Sequence, residues 1–127
     1  MKKKTNFSII ILNQQKNKSW LNKLISIIKK EGPENRIKVL EKLSIKEIID
    51  LKCDFLISFH NGQIIKDDII NYLNGSCINF HNSALPKNKG SAPILWTAYN
   101  NDLFAATIHK KWLLLVSILI FAGCSTK

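Results

Sequence analysis

The chain holds a single arginine, a single methionine and only three cysteines, and no acidic residue follows Asp102. Cys53, Cys77 and Cys124 form no Cys-x-x-Cys pair and share no metal-ligand spacing, which argues against a zinc ribbon or a disulfide scaffold and leaves no metal site to expect. Cys53 and Cys77 lie in or beside apolar segments, where a free thiol behaves as a small buried hydrophobe. Such usage fits a reducing, cytoplasmic setting. Arg36 is the lone arginine among 19 basic side chains set against 9 acidic ones, a formal net charge of +10. That balance raises nucleic acid, phosphate or an anionic membrane as partners. The lysines are scattered along the length, however, and Lys2 to Lys4 read as a solvated terminus. The charge therefore reads as a general compositional bias, shared with abundant asparagine and isoleucine, and not as a nucleic-acid footprint. Internal repeats and low-complexity linkers are missing as well, so the 127 residues make one small domain or part of a larger one.

What is present is a regular alternation. Phe7 to Leu12 is an Ile- and Leu-rich run whose length and β-branching read as a buried strand. Ser19 to Lys30 places Trp20, Leu21, Leu24, Ile25, Ile27 and Ile28 at helical spacing, with Ser19 as N-cap and Gly32-Pro33 as the stop. Arg36 to Leu40 alternates as a strand. Ser44-Ile45-Lys46-Glu47 is a capping-box pattern ahead of a helix with Ile45, Ile48 and Ile49 on one face. A strand at Phe55 to Phe59 precedes a helix at Lys66 to Leu73, with Asp67 and Asp68 where the helix dipole favours them. Ser76 to Phe80 and Phe104 to His109 read as strands around a helix at Ala92 to Asn100, which has Pro93 in its first turn. This order predicts an α/β fold over residues 1–110: a Rossmann-like, mostly parallel sheet with helices on both faces. Such sheets bind ligands at the carboxyl ends of their strands.

The stretch Ile78-Asn79-Phe80-His81-Asn82-Ser83-Ala84-Leu85-Pro86 falls at such an end. A strand has a side-chain period of two, so Asn79 and His81 point one way while Ile78 and Phe80 point the other. An Asn-x-His taken alone is as readily a loop-capping histidine beside an asparagine bonded to backbone. Its company is more informative. Leu85-Pro86, Gly90 and Ala92-Pro93 follow in order, and Thr107-Ile108-His109 occupies the next strand. Two neutral polar groups aimed together from a strand end could grip a carbonyl oxygen and move a proton, which is acyl-group chemistry.

In this order the residues resemble the formyltransferase family that uses 10-formyltetrahydrofolate. Its members act on methionyl-tRNA, glycinamide ribonucleotide and sugar nucleotides. The resemblance covers roughly residues 5 to 110 and is specific over 78 to 109. Ser58-Phe59-His60-Asn61-Gly62-Gln63-Ile64-Ile65 also looks like the family's strand and folate-side loop. The resemblance implies transfer of a formyl group from the folate to a substrate amine. Asn79 would hold the developing oxyanion, and His81 would help hold it and assist proton movement. Leu85, Pro86 and Gly90 would shape the loop beside the amine, and Phe59, Asn61, Gly62, Gln63 and Ile64 would lie near the folate pteridine. The implied partners are a folate and a small amine-bearing substrate. Gly90-Ser91-Ala92-Pro93 is most similar to the methionyl-tRNA enzymes. Phe80-His81-Asn82-Ser83 and the exit Asn13-Gln14-Gln15, which lacks a Gly-rich turn, suit the sugar-nucleotide enzymes. An amino sugar or another small amine is expected ahead of tRNA.

The family also carries an Asp that tunes its His, in an Asp-x-Gly segment beyond the Thr-Ile-His strand. Here Lys110-Lys111 leads instead into Leu113-Leu114-Leu115-Val116-Ser117-Ile118-Leu119-Ile120-Phe121-Ala122-Gly123-Cys124. Such a run reaches about 17 Å as a helix, short of a bilayer core of about 30 Å. Two lysines, an apolar run and Ala-Gly-Cys resemble a bacterial lipoprotein signal segment with its lipid-accepting cysteine, displaced to the wrong end. Residues 111–127 are therefore expected to be an unrelated hydrophobic tail. Three readings stay open: the joined start of another reading frame, a genuine buried strand or helix, or a membrane-associating segment over 112–122. Each predicts a C-terminally truncated domain with little formyl transfer of its own. The rival readings are an inactive folate- or nucleotide-binding remnant and a membrane-associated protein.

Overall fold

The computed structural model describes residues 6–14, 18–90, 92–110 and 117–121. Strands β1 (Ser8–Leu12), β2 (Arg36–Leu40), β3 (Phe55–Phe59), β4 (Cys77–His81), β5 (Ala105–Lys110) and β6 (Ser117–Phe121) form one sheet in the order β2-β1-β3-β4-β5-β6. Helices α1 (Ser19–Glu31), α2 (Ile45–Asp50), α3 (Asp67–Tyr72) and α4 (Pro93–Tyr99) connect the first five strands in turn. β1 pairs in parallel with β2 and β3, and β3 with β4. β5 then runs antiparallel to β4, and β6 antiparallel to β5. The strand–helix alternation accounts for the parallel part and not for this reversal. Thr107 of β5 donates its hydroxyl to the Ser83 carbonyl (2.6 Å) and accepts the Leu85 N–H (3.1 Å). These bonds hold the start of the loop after β4 against β5.

β1 is buried at every position, as a central strand covered on both faces must be. Its alternate residues feed two cores. Ile10 and Leu12 pack with Ile48, Leu56, Ile69 and Cys77 on the side of α2 and α3. Ile9 and Ile11 pack with Leu21, Leu24, Ile25 and Ile28 of α1, an i, i+3, i+4, i+7 stripe. Trp20 and Ile27, drawn from the same apolar run, fall off that stripe and are 63% and 61% exposed. Lys18 takes the N-cap position of α1 and Ser19 is its first helical residue, one place earlier than the sequence suggests. The capping box of α2 forms: the Glu47 carboxylate accepts the Ser44 N–H at 2.8 Å and the Ser44 hydroxyl. Those hydrogen bonds, the hydroxyl's foremost, hold Glu47 below the usual carboxylate range. Cys53 and Cys77 are buried free thiols, and burial pushes Cys53 up to about 11, so the nucleophilic thiolate is scarce there.

Of the segment 111–127, only Ser117–Phe121 falls among the described residues, as strand β6 at the sheet edge. Residues 111–116 and 122–127, Cys124 included, lie outside them. Among the described residues, no helix is long and apolar enough to cross a membrane.

Truncation of Leu56, 0% exposed, tests where the core sits. Leu56→Ala is expected to cost about 2–5 kcal/mol in urea unfolding. Ile64→Ala, at a side chain 82% exposed, is expected to stay within about 0.5 kcal/mol of the parent.

Candidate active site

β1, β3 and β4 release the chain at one edge of the sheet, and side-chain amides tie the released segments together. Asn13, only 3% exposed, donates its side-chain N–H to the Phe59 carbonyl (2.9 Å) and its main-chain N–H to the Leu40 carbonyl (2.9 Å). Gln14 spans the next gap, donating to the Glu41 carbonyl (3.0 Å) and accepting the Gly62 N–H (3.1 Å). Gln63 accepts the Leu43 N–H (3.0 Å) and donates to the Leu43 carbonyl (2.6 Å), as a neighbouring strand would. Asn61 closes an Asx turn: its Oδ1 accepts the Gln63 N–H (2.8 Å), while its Nδ2 donates to the Gln63 carbonyl (2.9 Å) and the Ser58 hydroxyl (3.2 Å). A primary amide offers donor and acceptor without charge, so it satisfies peptide groups at a strand end without the cost of burying an ion.

This bears on the loop expected beside a folate ring. The Asn61 and Gln63 side chains are spent on building the loop. Ile64 stands in solvent, and Phe59 packs edge-on against Phe80 at 5.3 Å. On β4, Asn79 and His81 share the face of Cys77, whose side chain is in the core beneath α2 and α3. His81 lines an open cleft of ≈ 310 Å³ together with Asn61, Gly62, Gly90 and Pro93. Asn79 is half-buried one pleat behind His81 and is not itself among the lining residues. The loop beyond β4 is held firmly. Ser83, fully buried, donates to the Lys87 carbonyl (3.0 Å), and the Leu85–Pro86 peptide is cis. Leu85 is tied to Thr107 as described, Pro86 is exposed, and Gly90 has φ +110°. Nothing lies within 4 Å of where a Gly90 Cβ would stand, so backbone conformation alone calls for glycine there.

Sequence reasoning passed over His60, which the structure brings to the same cleft. Its backbone is left-handed (φ +49°) and its ring packs edge-on against Phe59 at 4.5 Å. The Asn82 side-chain N–H points at His60 Nδ1 (3.2 Å). An amide N–H only donates, so Nδ1 accepts and the proton of the neutral ring sits on Nε2. Burial lowers the His60 pKa, in keeping with a neutral imidazole. The signal that could have found it is position: a histidine directly after the last residue of a buried strand. Among the described residues, no acidic side chain lines the cleft. On the far side of Phe80 lies an apolar hollow of ≈ 530 Å³, lined by Trp20, Phe59, Ile94 and Phe104, which shares His60 and Asn82 with the cleft. A third hollow, ≈ 380 Å³, sits at the opposite edge of the sheet beside Arg36 and Asp50. It holds none of the expected site residues, and open parallel sheets do not place their ligands there.

Comparison with known proteins bears on the same residues. The family model for formyl transferase matches residues 14–109. The methionyl-tRNA formyltransferase of Mycoplasma capricolum subsp. capricolum is 42% identical over 79 residues, covering 59% of this chain and 25% of that protein. The methionyl-tRNA formyltransferase of Clostridium beijerinckii is 30% identical over 110 residues, covering 80% of this chain and 36% of that protein. The chain thus spans about a quarter to a third of the length of these relatives. Among solved structures, the formyltransferase PseJ from Anoxybacillus kamchatkensis, in complex with a UDP-linked formamido sugar and tetrahydrofolate, matches with a TM-score of 0.68 at 26% identity, over 91% of this chain and 60% of that one. A phosphoribosylglycinamide formyltransferase from Bacillus halodurans shares the fold, with a TM-score of 0.66 at 13% identity, over 94% of this chain and 82% of that one.

Two outcomes are expected from this geometry. Thr107→Val strips partners from the Leu85 N–H and the buried Ser83 carbonyl, and should lower stability by about 1–3 kcal/mol in urea unfolding. His60 supplies a pH test. Its folded pKa lies below the ordinary 6.5, so the unfolded chain takes the proton more readily. Its contribution to stability is complete above 6.5 and is lost as pH falls through the folded value. Urea midpoints measured across that range should fall less steeply in His60→Asn, where asparagine keeps the left-handed backbone.

Proposed function

The chain belongs to the formyl transferase family, and from that premise we propose that its cleft serves formyl transfer from 10-formyltetrahydrofolate to a substrate amine. The supporting observation is the placement of Asn79 and His81 on one face of β4 at the carboxyl edge, with His81 opening on a cleft whose other wall is the loop after β3. When bound, the folate supplies the formyl carbon, and its N10 takes up a proton as the carbon–nitrogen bond breaks. The amide N–H of Asn79 donates to the formyl oxygen as that oxygen gains charge, a contribution of about 3–4 kcal/mol for one fixed donor. His81 stands at the cleft surface to take up the proton that the amine must lose. The loop formed by Phe59, Asn61, Gly62, Gln63 and Ile64 faces the folate. With the Asn61 and Gln63 amides turned into the protein, it would meet the folate through main chain and the exposed Ile64. Leu85, Pro86 and Gly90 form the side from which the amine approaches.

No carboxylate lines the cleft among the described residues, so the amine's proton leaves through His81 or water and turnover by this chain is expected to be slow. For the acceptor, the relatives at 30% and 42% identity point to the amine of methionyl-tRNA. PseJ, solved with a formamido sugar nucleotide, supports an amino sugar as the second reading.

Titration calorimetry of the 127-residue chain with tetrahydrofolate is expected to show saturable binding. Single-turnover transfer to methionyl-tRNA is expected to fall about 10²–10³-fold in Asn79→Ala. Absence of folate binding overturns the proposal. Folate binding with no product from either acceptor leaves a binding remnant in its place.

A further inference from the structure

The loop after β4 is anchored through Asn88. His81 Nε2 lies 3.3 Å from the main-chain carbonyl of Asn88. A carbonyl only accepts, so this contact needs the proton on Nε2, and in the neutral ring Nδ1 is then the one nitrogen able to accept a proton. The buried Ser83 hydroxyl reaches the same carbonyl (3.4 Å), and the Asn88 side chain anchors the residue that carries it. Asn88 sits in the left-handed region (φ +50°), which asparagine tolerates better than most residues. Its Nδ2 donates to Asp102 Oδ2 (3.1 Å) and to Thr97 Oγ1 (3.1 Å), and its Oδ1 accepts from Asn100 Nδ2 (3.2 Å). Thr97 is buried and bonded in turn to the Pro93 carbonyl (2.8 Å). Asp102 also pairs with Lys87 (3.0 Å), and these partners, Lys87 foremost, hold its carboxyl below the usual range. One side chain therefore pins the loop after β4 to the end of α4 and the turn into β5.

We propose that Asn88 is a positioning residue for His81: anchored by Asp102, Thr97 and Asn100, it fixes the carbonyl that takes the Nε2–H, and so fixes Nδ1 as the proton-accepting atom at the cleft. Asp102, the last acidic residue of the chain, acts on the imidazole through an amide and a peptide carbonyl and does not touch it. The inference rests on the formyl-transfer reading for its purpose and not for its geometry.

The test is therefore made without substrate. Long-range proton–nitrogen correlation spectra of the full chain, at a pH where both imidazoles are neutral, report which ring nitrogen bears the proton. Wild type is expected to show widely split nitrogen shifts for His81, with Nε2 protonated. Asn88→Gly keeps the carbonyl and the left-handed backbone but removes the anchor, and the His81 shifts are expected to move towards their average. His60, held by Asn82, should keep its own pattern and reports that the fold is intact. Asp102→Ala is expected to move the His81 shifts in the same direction, and it serves if Asn88→Gly does not fold. Unchanged His81 shifts in a folded variant, or a Nδ1-protonated ring in wild type, overturn the proposal. Failure of folate binding would leave this result standing, so the two readings fail separately.

Discussion

Uncharged side-chain amides do at the carboxyl edge of this sheet what a further strand would do in its middle. A parallel sheet ends in peptide groups that no neighbour completes, and such groups are costly to bury alone. Asn13, Gln14, Asn61 and Gln63 complete them, each presenting a donor and an acceptor in fixed relation. The ends of β1, β2 and β3 are thereby tied into one rim, and the cleft wall before His81 is part of that rim. A lysine or glutamate in any of these places would bring a charge and lose half of the bonding capacity. The asparagine-rich composition, read from the sequence as bias, has at least here a structural use.

The elements were legible because their signals are local. The Ile-rich run of β1, the i, i+3, i+4, i+7 stripe of α1 and the capping box of α2 each fit within one segment, and the structure moves their ends by a residue or two. Asn79 and His81 were legible because a strand's period of two puts them on one face. The parts that were not legible depend on distant pairs. Asn13 meets Phe59 across 46 positions, and Gln14 meets Gly62 across 48. Thr107 meets Ser83 across 24 positions. No spacing rule carries such information, and the bond from Asn82 to His60, across 22 positions, is of the same kind.

His60 and His81 enter the cleft from neighbouring strands under opposite kinds of restraint. An amide N–H presses on His60 Nδ1, and a carbonyl draws on His81 Nε2. The first contact requires a neutral ring protonated at Nε2, and the second places a proton on Nε2. The cleft so arranged holds an acceptor on one imidazole and a donor on the other, with no carboxylate among its described walls to charge either. Beyond Phe80 the surroundings turn apolar within the thickness of one ring. A ligand with one polar end and one flat apolar end would find both environments within reach of the same strand.

Asn61-Gly62 is also the dipeptide in which asparagine most readily loses its amide with age, because the glycine nitrogen can close on the side-chain carbon and expel ammonia. Here that nitrogen donates to Gln14, and the Asn61 amide is turned to Ser58 and Gln63. The bonds that shape the rim thus engage both groups that must react. Shelf life at this position is thus tied to Gln14, in the segment that leaves β1: loosening it would let a carboxylate form, by spontaneous chemistry, in a cleft whose described walls carry none.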